Sequence, residues 1–124
     1  AEDTHVARLW SAATVLGAMD PGIVWNEAEN FPYADRNPYV GPMAVAEGIF
    51  GRIVSEWDDF RVVPKELLGD GDTVVALGRY SGTYKATGKV FDAQFVHVWR
   101  VREGKVTSFQ QYTDTAQAVA VMRG

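Results

Sequence analysis

Proton chemistry near neutrality needs an imidazole or a carboxylate with a shifted pKa, and the stretch 88–115 carries one of each. It reads GKVFDAQFVHVWRVREGKVTSFQQYTDT. Two strands joined by the tight turn Arg102-Glu103-Gly104-Lys105 are predicted. Side chains two apart share a face of a strand, so Phe95, His97, Trp99 and Val101 line up together. On the second strand Ser108, Gln110, Tyr112 and Asp114 share one face, and Phe109, Gln111 and Thr113 the other. His97 can give or take a proton beside a carbonyl. It reads equally as a buried histidine satisfied by a backbone or tyrosine group. Asp114, if buried against an aromatic, would have a raised pKa and serve as a base. In Thr113-Asp114-Thr115 before an Ala/Val-rich run it also reads as a helix cap. Tyr112 points the same way as Asp114, which makes a phenol–carboxylate pair reasonable.

Other candidates lie upstream. Asn26 offers an uncharged donor and acceptor for a ligand carbonyl, or it finishes a strand end. Glu27 and Glu29 read as solvated or loop residues. Tyr33 and Tyr39 belong to an aromatic loop and could place a phenol over a ligand. Trp10, Phe50, Trp57 and Trp99 read as core or pocket wall, contributing shape and water exclusion.

The composition narrows the classes. At 124 residues the chain is one domain, 1–124, long enough for a substantial core. The formal net charge of −4, with Lys and Arg scattered, leaves no basic stripe for nucleic acid. Without cysteine, disulfides and thiolate chemistry are excluded. With two histidines, His5 and His97, a multi-histidine metal site is excluded, and no Asp/Glu motif suggests a carboxylate one. No apolar run approaches the ~20 residues of a membrane span, and no signal peptide is visible. The expectation is a soluble cytoplasmic domain.

The elements that must position these residues follow from periodicity. Asp3 or Thr4 caps a helix whose stripe is Val6, Leu9, Trp10, Ala13 and Leu16, ended by Asp20-Pro21-Gly22. Ile23 to Ala28 reads as a short strand, with Trp25 and Glu27 on one face. Residues 29–41 form a loop rich in Phe and Tyr, expected to fold down as a lid. Gly41-Pro42 starts a second helix with the stripe Ala46, Ile49, Phe50, Ile53 and Trp57. Four strands follow: Phe60–Leu68, with Pro64 marking an edge or bulge, Thr73–Tyr84, and the two already described. Residues 115–124 read as a weak terminal helix or tail. The class is α+β, an antiparallel sheet with helices on one face.

Several of these segments together resemble a known family. They are the strand-ending Trp25-Asn26 pair, the Gly41-Pro42 helix start, GDTVVALGRYSGTY at 71–84, the Gly88-Lys89 turn, HVWRVREGKV at 97–106 and QQYTDT at 110–115. The chain resembles the SnoaL-like branch of the NTF2-like superfamily, which includes ketosteroid isomerases, polyketide cyclases and limonene epoxide hydrolase. The resemblance implies a cystatin-like cone in which a curved sheet wraps N-terminal helices around an apolar pocket. It also implies a homodimer through the sheet and no cofactor. His97 falls where ketosteroid isomerases carry an acidic oxyanion-stabilising residue, and Asn26 lies near their carboxylate base. Asp114 lies near the terminal-strand carboxylate of the polyketide cyclases. Phe95-Val96-His97 lacks the Arg and Asp spacing of the epoxide hydrolase. Two readings stand. In one, His97 and Asp114 handle protons while Asn26, Tyr39, Trp57, Trp99 and Tyr112 hold a small apolar or carbonyl-containing ligand, giving isomerase or cyclase chemistry. In the other, the same pocket binds without transforming, or the fold serves as a dimerisation module.

Overall fold

The turn at 102–105 forms as its residues predict. Glu103 and Gly104 both have positive φ, 51° and 76°, the backbone that matches strand twist in a tight hairpin. It joins the two central strands of a six-stranded sheet in a computed structural model that describes residues 12–123. The elements are α1 (Ala12–Gly17), β1 (Met19–Asn26), a 3₁₀ turn (Pro32–Arg36), β2 (Tyr39–Val40), a second helix α2, β3 (Trp57–Asp70), β4 (Thr73–Tyr84), β5 (Val90–Arg102), β6 (Lys105–Thr113) and α3 (Thr115–Met122). Helix α2 runs over 42–56 in three parts: Pro42–Val45, a π-helical turn Ala46–Phe50, and Gly51–Glu56.

The sheet order is β2-β1-β6-β5-β4-β3. It is antiparallel apart from the parallel pairing of β1 with β6, which the strand pattern does not predict. The class is α+β as expected. The apolar face explains the layering. On β5, Phe91, Ala93, Phe95, His97 and Trp99 are buried, while Val90, Asp92, Gln94 and Arg100 are exposed. One face thus packs on α2 and the loop over 28–41, and the other faces outward.

Several features bend the sheet. Pro64 sits on edge strand β3 at a register shift, the location a donorless residue tolerates. Gly78 on β4 lies so close to its neighbours that an added Cβ would stand 2.3 Å from the Val63 carbonyl oxygen and 2.5 Å from Phe95 Cζ. Backbone and ring meet there because no side chain intervenes.

Three expectations change. Asp20-Pro21-Gly22 does not end the helix, which stops at Gly17, but lies inside β1, at a register shift between Met19 and Val24. The Asp20 carboxylate accepts the Gly22 N–H at 2.8 Å, satisfying a donor that the irregular pairing frees. Trp57 does not extend the α2 stripe but begins β3. The π turn adds a residue to that turn of the helix and shifts the phase of all that follows. The terminal segment is a true helix, capped by Asp114, with Ala118 and Val121 buried. The predicted stripe at Val6, Leu9 and Trp10 and its cap lie outside the described residues. Among the described residues, no helix is long and apolar enough to cross a membrane.

Candidate functional site

Under the concave face lies a cavity of about 240 Å³. Its wall is mostly aromatic: Trp25, Phe109 and Trp99 from the sheet, Phe50 from α2, Phe31 and Tyr33 from the loop, Trp57 and Phe60 from β3. Trp25 stacks on Phe109 with centroids 3.7 Å apart and meets Trp99 and Phe50 edge-on. These arrangements suit ring quadrupoles and fix the wall rigidly.

His97 points into this space and is buried. Its Nε2 makes a short hydrogen bond with the Tyr80 hydroxyl. Gln111 Nε2 donates to that hydroxyl at 2.9 Å, and Gln111 Oε1 accepts the Ala28 N–H at 3.1 Å. Burial drives the His97 pKa down to about 3 and the Tyr80 pKa well above its usual value, so both rings are neutral around pH 7. The set closes in either histidine tautomer. With the proton on Nδ1, Nε2 accepts from Tyr80. With the proton on Nε2, the Tyr80 oxygen receives two donors and its own proton is left for a ligand.

The cavity also holds a carboxylate. Glu27, just past the end of β1, is buried and faces the aromatic wall. Burial raises its pKa from 4.5 to about 7, against the lowering effects of the Trp25 hydrogen bond and the Arg52 charge. Trp25 Nε1 donates to Oε2 at 3.0 Å, and Oε1 accepts no hydrogen bond among the described residues. The backbone of Glu27 is clamped by Asn37, whose Oδ1 accepts its N–H at 3.0 Å and whose Nδ2 donates to its carbonyl at 2.8 Å. A carboxyl held this way changes protonation near neutrality and has lone pairs open to the cavity, the two properties of a general base.

The loop over 28–41 does fold down. The Tyr39 hydroxyl donates to the Tyr33 carbonyl in a short bond and receives Arg52 Nη2 at 2.6 Å. Arg52 grips Asp35 with two bonds, 2.9 and 3.0 Å, and its guanidinium lies 4.3 Å from the Tyr33 ring centroid. The Tyr33 hydroxyl bridges Glu56, at 2.6 Å, and Trp57 Nε1, at 3.0 Å. Tyr39 thus latches the loop to α2, while Tyr33 lines the cavity.

Of the residues singled out from the sequence, the structure brings His97, Trp57, Trp99, Tyr33 and Phe50 together at the cavity. Asp114 is placed elsewhere. It is exposed, and its carboxylate accepts the Gln117 N–H at 3.1 Å as the cap of α3. Tyr112 is exposed on the outer face, because Phe109 and Gln111 take the inner one. Asn26 points away from Glu27 by strand alternation and borders a separate polar recess with Tyr112 and Gln110. Glu27, expected to be a solvated or loop residue, is instead buried at the cavity, and Tyr80 and Gln111 are the polar groups that the sequence reading does not single out. For Glu27 the signal was present in its sharing a strand face with Trp25. Among the described residues, no group of three or more His, Asp or Glu side chains is placed to hold a metal ion.

The profile of the SnoaL-like domain matches residues 7–109. The chain belongs to the SnoaL-like domain family. This SnoaL-like protein is 35% identical to an NTF2-like protein of Burkholderia thailandensis E264, with 98% of this chain and 92% of that one covered and a TM-score of 0.88. A protein of Catenulispora acidiphila with a ketosteroid isomerase-like fold, solved in complex with trimethylamine, is 18% identical over 96% of this chain and 89% of its own, with a TM-score of 0.78. A Jannaschia protein provisionally named a SnoaL-like polyketide cyclase is 18% identical over 90% and 77%, with a TM-score of 0.73. At 18% identity the likeness is one of fold. No curated protein matches the chain.

Proposed function

We propose that this SnoaL-like protein binds a small, largely apolar carbonyl compound in its cavity and catalyses cofactor-free enolisation, as an isomerase or cyclase would. The observation that supports this reading best is Glu27: a buried carboxyl with a pKa of about 7 in an aromatic cavity shared with Tyr80 and His97. In the proposed step, Glu27 Oε1 takes a proton from the carbon beside the carbonyl. The C–H electron pair becomes the C=C bond of the enolate, and the negative charge moves to the carbonyl oxygen. Tyr80, with His97 and Gln111 donating to its oxygen, gives that oxyanion a hydrogen bond. Glu27 then returns the proton to a different carbon, or the enolate carbon attacks a second carbonyl. The catalytic role expected of His97 becomes one of setting the Tyr80 proton, and the role expected of Asp114 passes to Glu27. The aromatic wall supplies water exclusion and orientation.

Exchange of α-protons tests this without knowledge of the natural substrate. A hydrophobic ketone such as 2-tetralone in D₂O is expected to lose its α-protons faster with the protein present, as followed by NMR. Glu27→Gln is expected to slow that exchange by at least about 100-fold, the scale of general base catalysis. Equal exchange rates in the two proteins would end the proposal, and a pocket that only binds would become the better reading.

We further propose that a second copy of the chain covers the outer face of the sheet. Strand register places Leu77 beside Val96 and Val96 beside Tyr112, an apolar strip on the outward side. Light scattering is expected to give twice the 13.7 kDa chain mass, and Leu77→Glu the single mass. A monomeric native protein would refute this.

A further inference from the structure

We infer that the cavity is also a receptor for a small organic cation, a quaternary or protonated alkylamine, with Glu27 as counter-ion and the surrounding aromatic faces as a cage. The inference uses the same cavity as the function proposed above but none of its proton chemistry. Three observations carry it. The first is the wall: Trp25, Trp57, Trp99 and Phe109 border the space, and although Trp25 and Phe109 stack on each other by one face and Arg52 covers a face of Tyr33, aromatic rings around a cavity attract a cation through their quadrupoles. The second is charge. Among the described residues lining the cavity none is Lys or Arg, and the one imidazole, His97, is neutral. An anionic ligand would find no counter-charge there, whereas a cation finds a carboxylate. The third is the open lone pairs of Glu27 Oε1, which accepts no hydrogen bond among the described residues while Oε2 is held by Trp25. A buried carboxylate without a partner charge is costly, and a bound cation relieves that cost.

The titratable and charged groups around Glu27 do not compete for this role. Arg52 on α2 acts on it from a distance but is engaged by Asp35 and Tyr39. Tyr33 and Tyr39 on the loop, Tyr80 on β4 and His97 on β5 are neutral around pH 7. Proton balance gives the cation site a signature. Where Glu27 is protonated, binding of a fixed cation must release that proton to solvent. Affinity therefore falls as pH drops through about 7 and levels off above it.

Choline and its neutral isostere 3,3-dimethylbutan-1-ol share a shape and differ in charge, so titration calorimetry with both tests the inference. At about pH 8 choline is expected to bind at least about tenfold more tightly than the alcohol. Between about pH 6 and pH 5 its affinity is expected to fall about tenfold, while that of the alcohol stays constant. Glu27→Gln is expected to erase the preference and to keep the alcohol binding, which shows the cavity intact. The pH series needs no variant. Equal affinities at about pH 8, no binding of either probe, or a choline preference that survives Glu27→Gln would overturn the inference. None of these results bears on ketone exchange, so the two readings fail separately.

Discussion

Replacing Glu27 by Gln is expected to stabilise the protein above neutrality while it removes the proposed proton acceptor. The folded state holds this carboxyl at about 7 instead of 4.5. At about 1.4 kcal/mol per pH unit, ionising it costs about 3 kcal/mol of stability. Its favourable contribution is complete below pH 4.5 and is lost as pH rises through about 7. His97 has the opposite sign. Its folded pKa of about 3 lies below the ordinary 6.5, so its contribution is complete above pH 6.5 and is lost as pH falls through about 3. Between pH 4.5 and 6.5 the two slopes oppose each other, and the wild-type stability is expected to be nearly flat there. In Glu27→Gln the His97 slope stands alone: stability climbs from about pH 3 to 6.5 and then holds level. The amide oxygen still accepts the Trp25 N–H, so the stack on Phe109 is undisturbed. Urea unfolding followed by tryptophan fluorescence, repeated across this pH range, reads both curves. The variant should exceed the wild type by up to about 3 kcal/mol at about pH 8. A variant curve parallel to the wild-type curve, or a less stable variant at about pH 8, would refute the assignment of Glu27 as a strained, buried acid.

Three further outcomes are expected. Trp25→Phe keeps the ring but removes the N–H that favours ionised Glu27, so that pKa should rise by about one pH unit. NMR of ¹³C-labelled glutamate carboxyls would show it, and an unmoved value would mean the indole does not position the carboxylate. Asp114→Ala should cost about 1 kcal/mol through loss of the α3 cap and leave ketone exchange unchanged. Loss of exchange in that variant would put Asp114 back into the chemistry. Gly78→Ala should destabilise by about 3 kcal/mol in urea unfolding, because its Cβ meets backbone and a ring that cannot yield. A neutral result would show that β3 can slide away from β4.

The central hairpin was legible because one face of β5 is fully buried, so each alternate residue reports its side without ambiguity. Thr73–Tyr84 was legible from its β-branched run and its bounding turn residues. The helix phase near Trp57 was not, since a π turn leaves no mark in an apolar period. In the site, His97 and the tryptophans announced themselves by type. Glu27 did not, because a glutamate beside a strand end usually faces water, and its environment is set by a loop and a helix distant in sequence. Tyr80 was not legible, because register pairs it with Ala93 and pairs His97 with Ala76, and only the folded sheet brings its hydroxyl to His97. Gln111 and Tyr112 compete for one strand, and the side that packs against Trp25 decides between them.

The parallel pairing of β1 with β6 has a consequence for how the protein comes into being. Glu27 is placed by one of the first strands, yet its wall and the amide that ties Ala28 come from residues 109 and 111. A ribosome must have delivered the chain through residue 111 before that seam can close. Until then the acidic side chain stays hydrated at its ordinary acidity, and its raised pKa arises only as the seam closes over it.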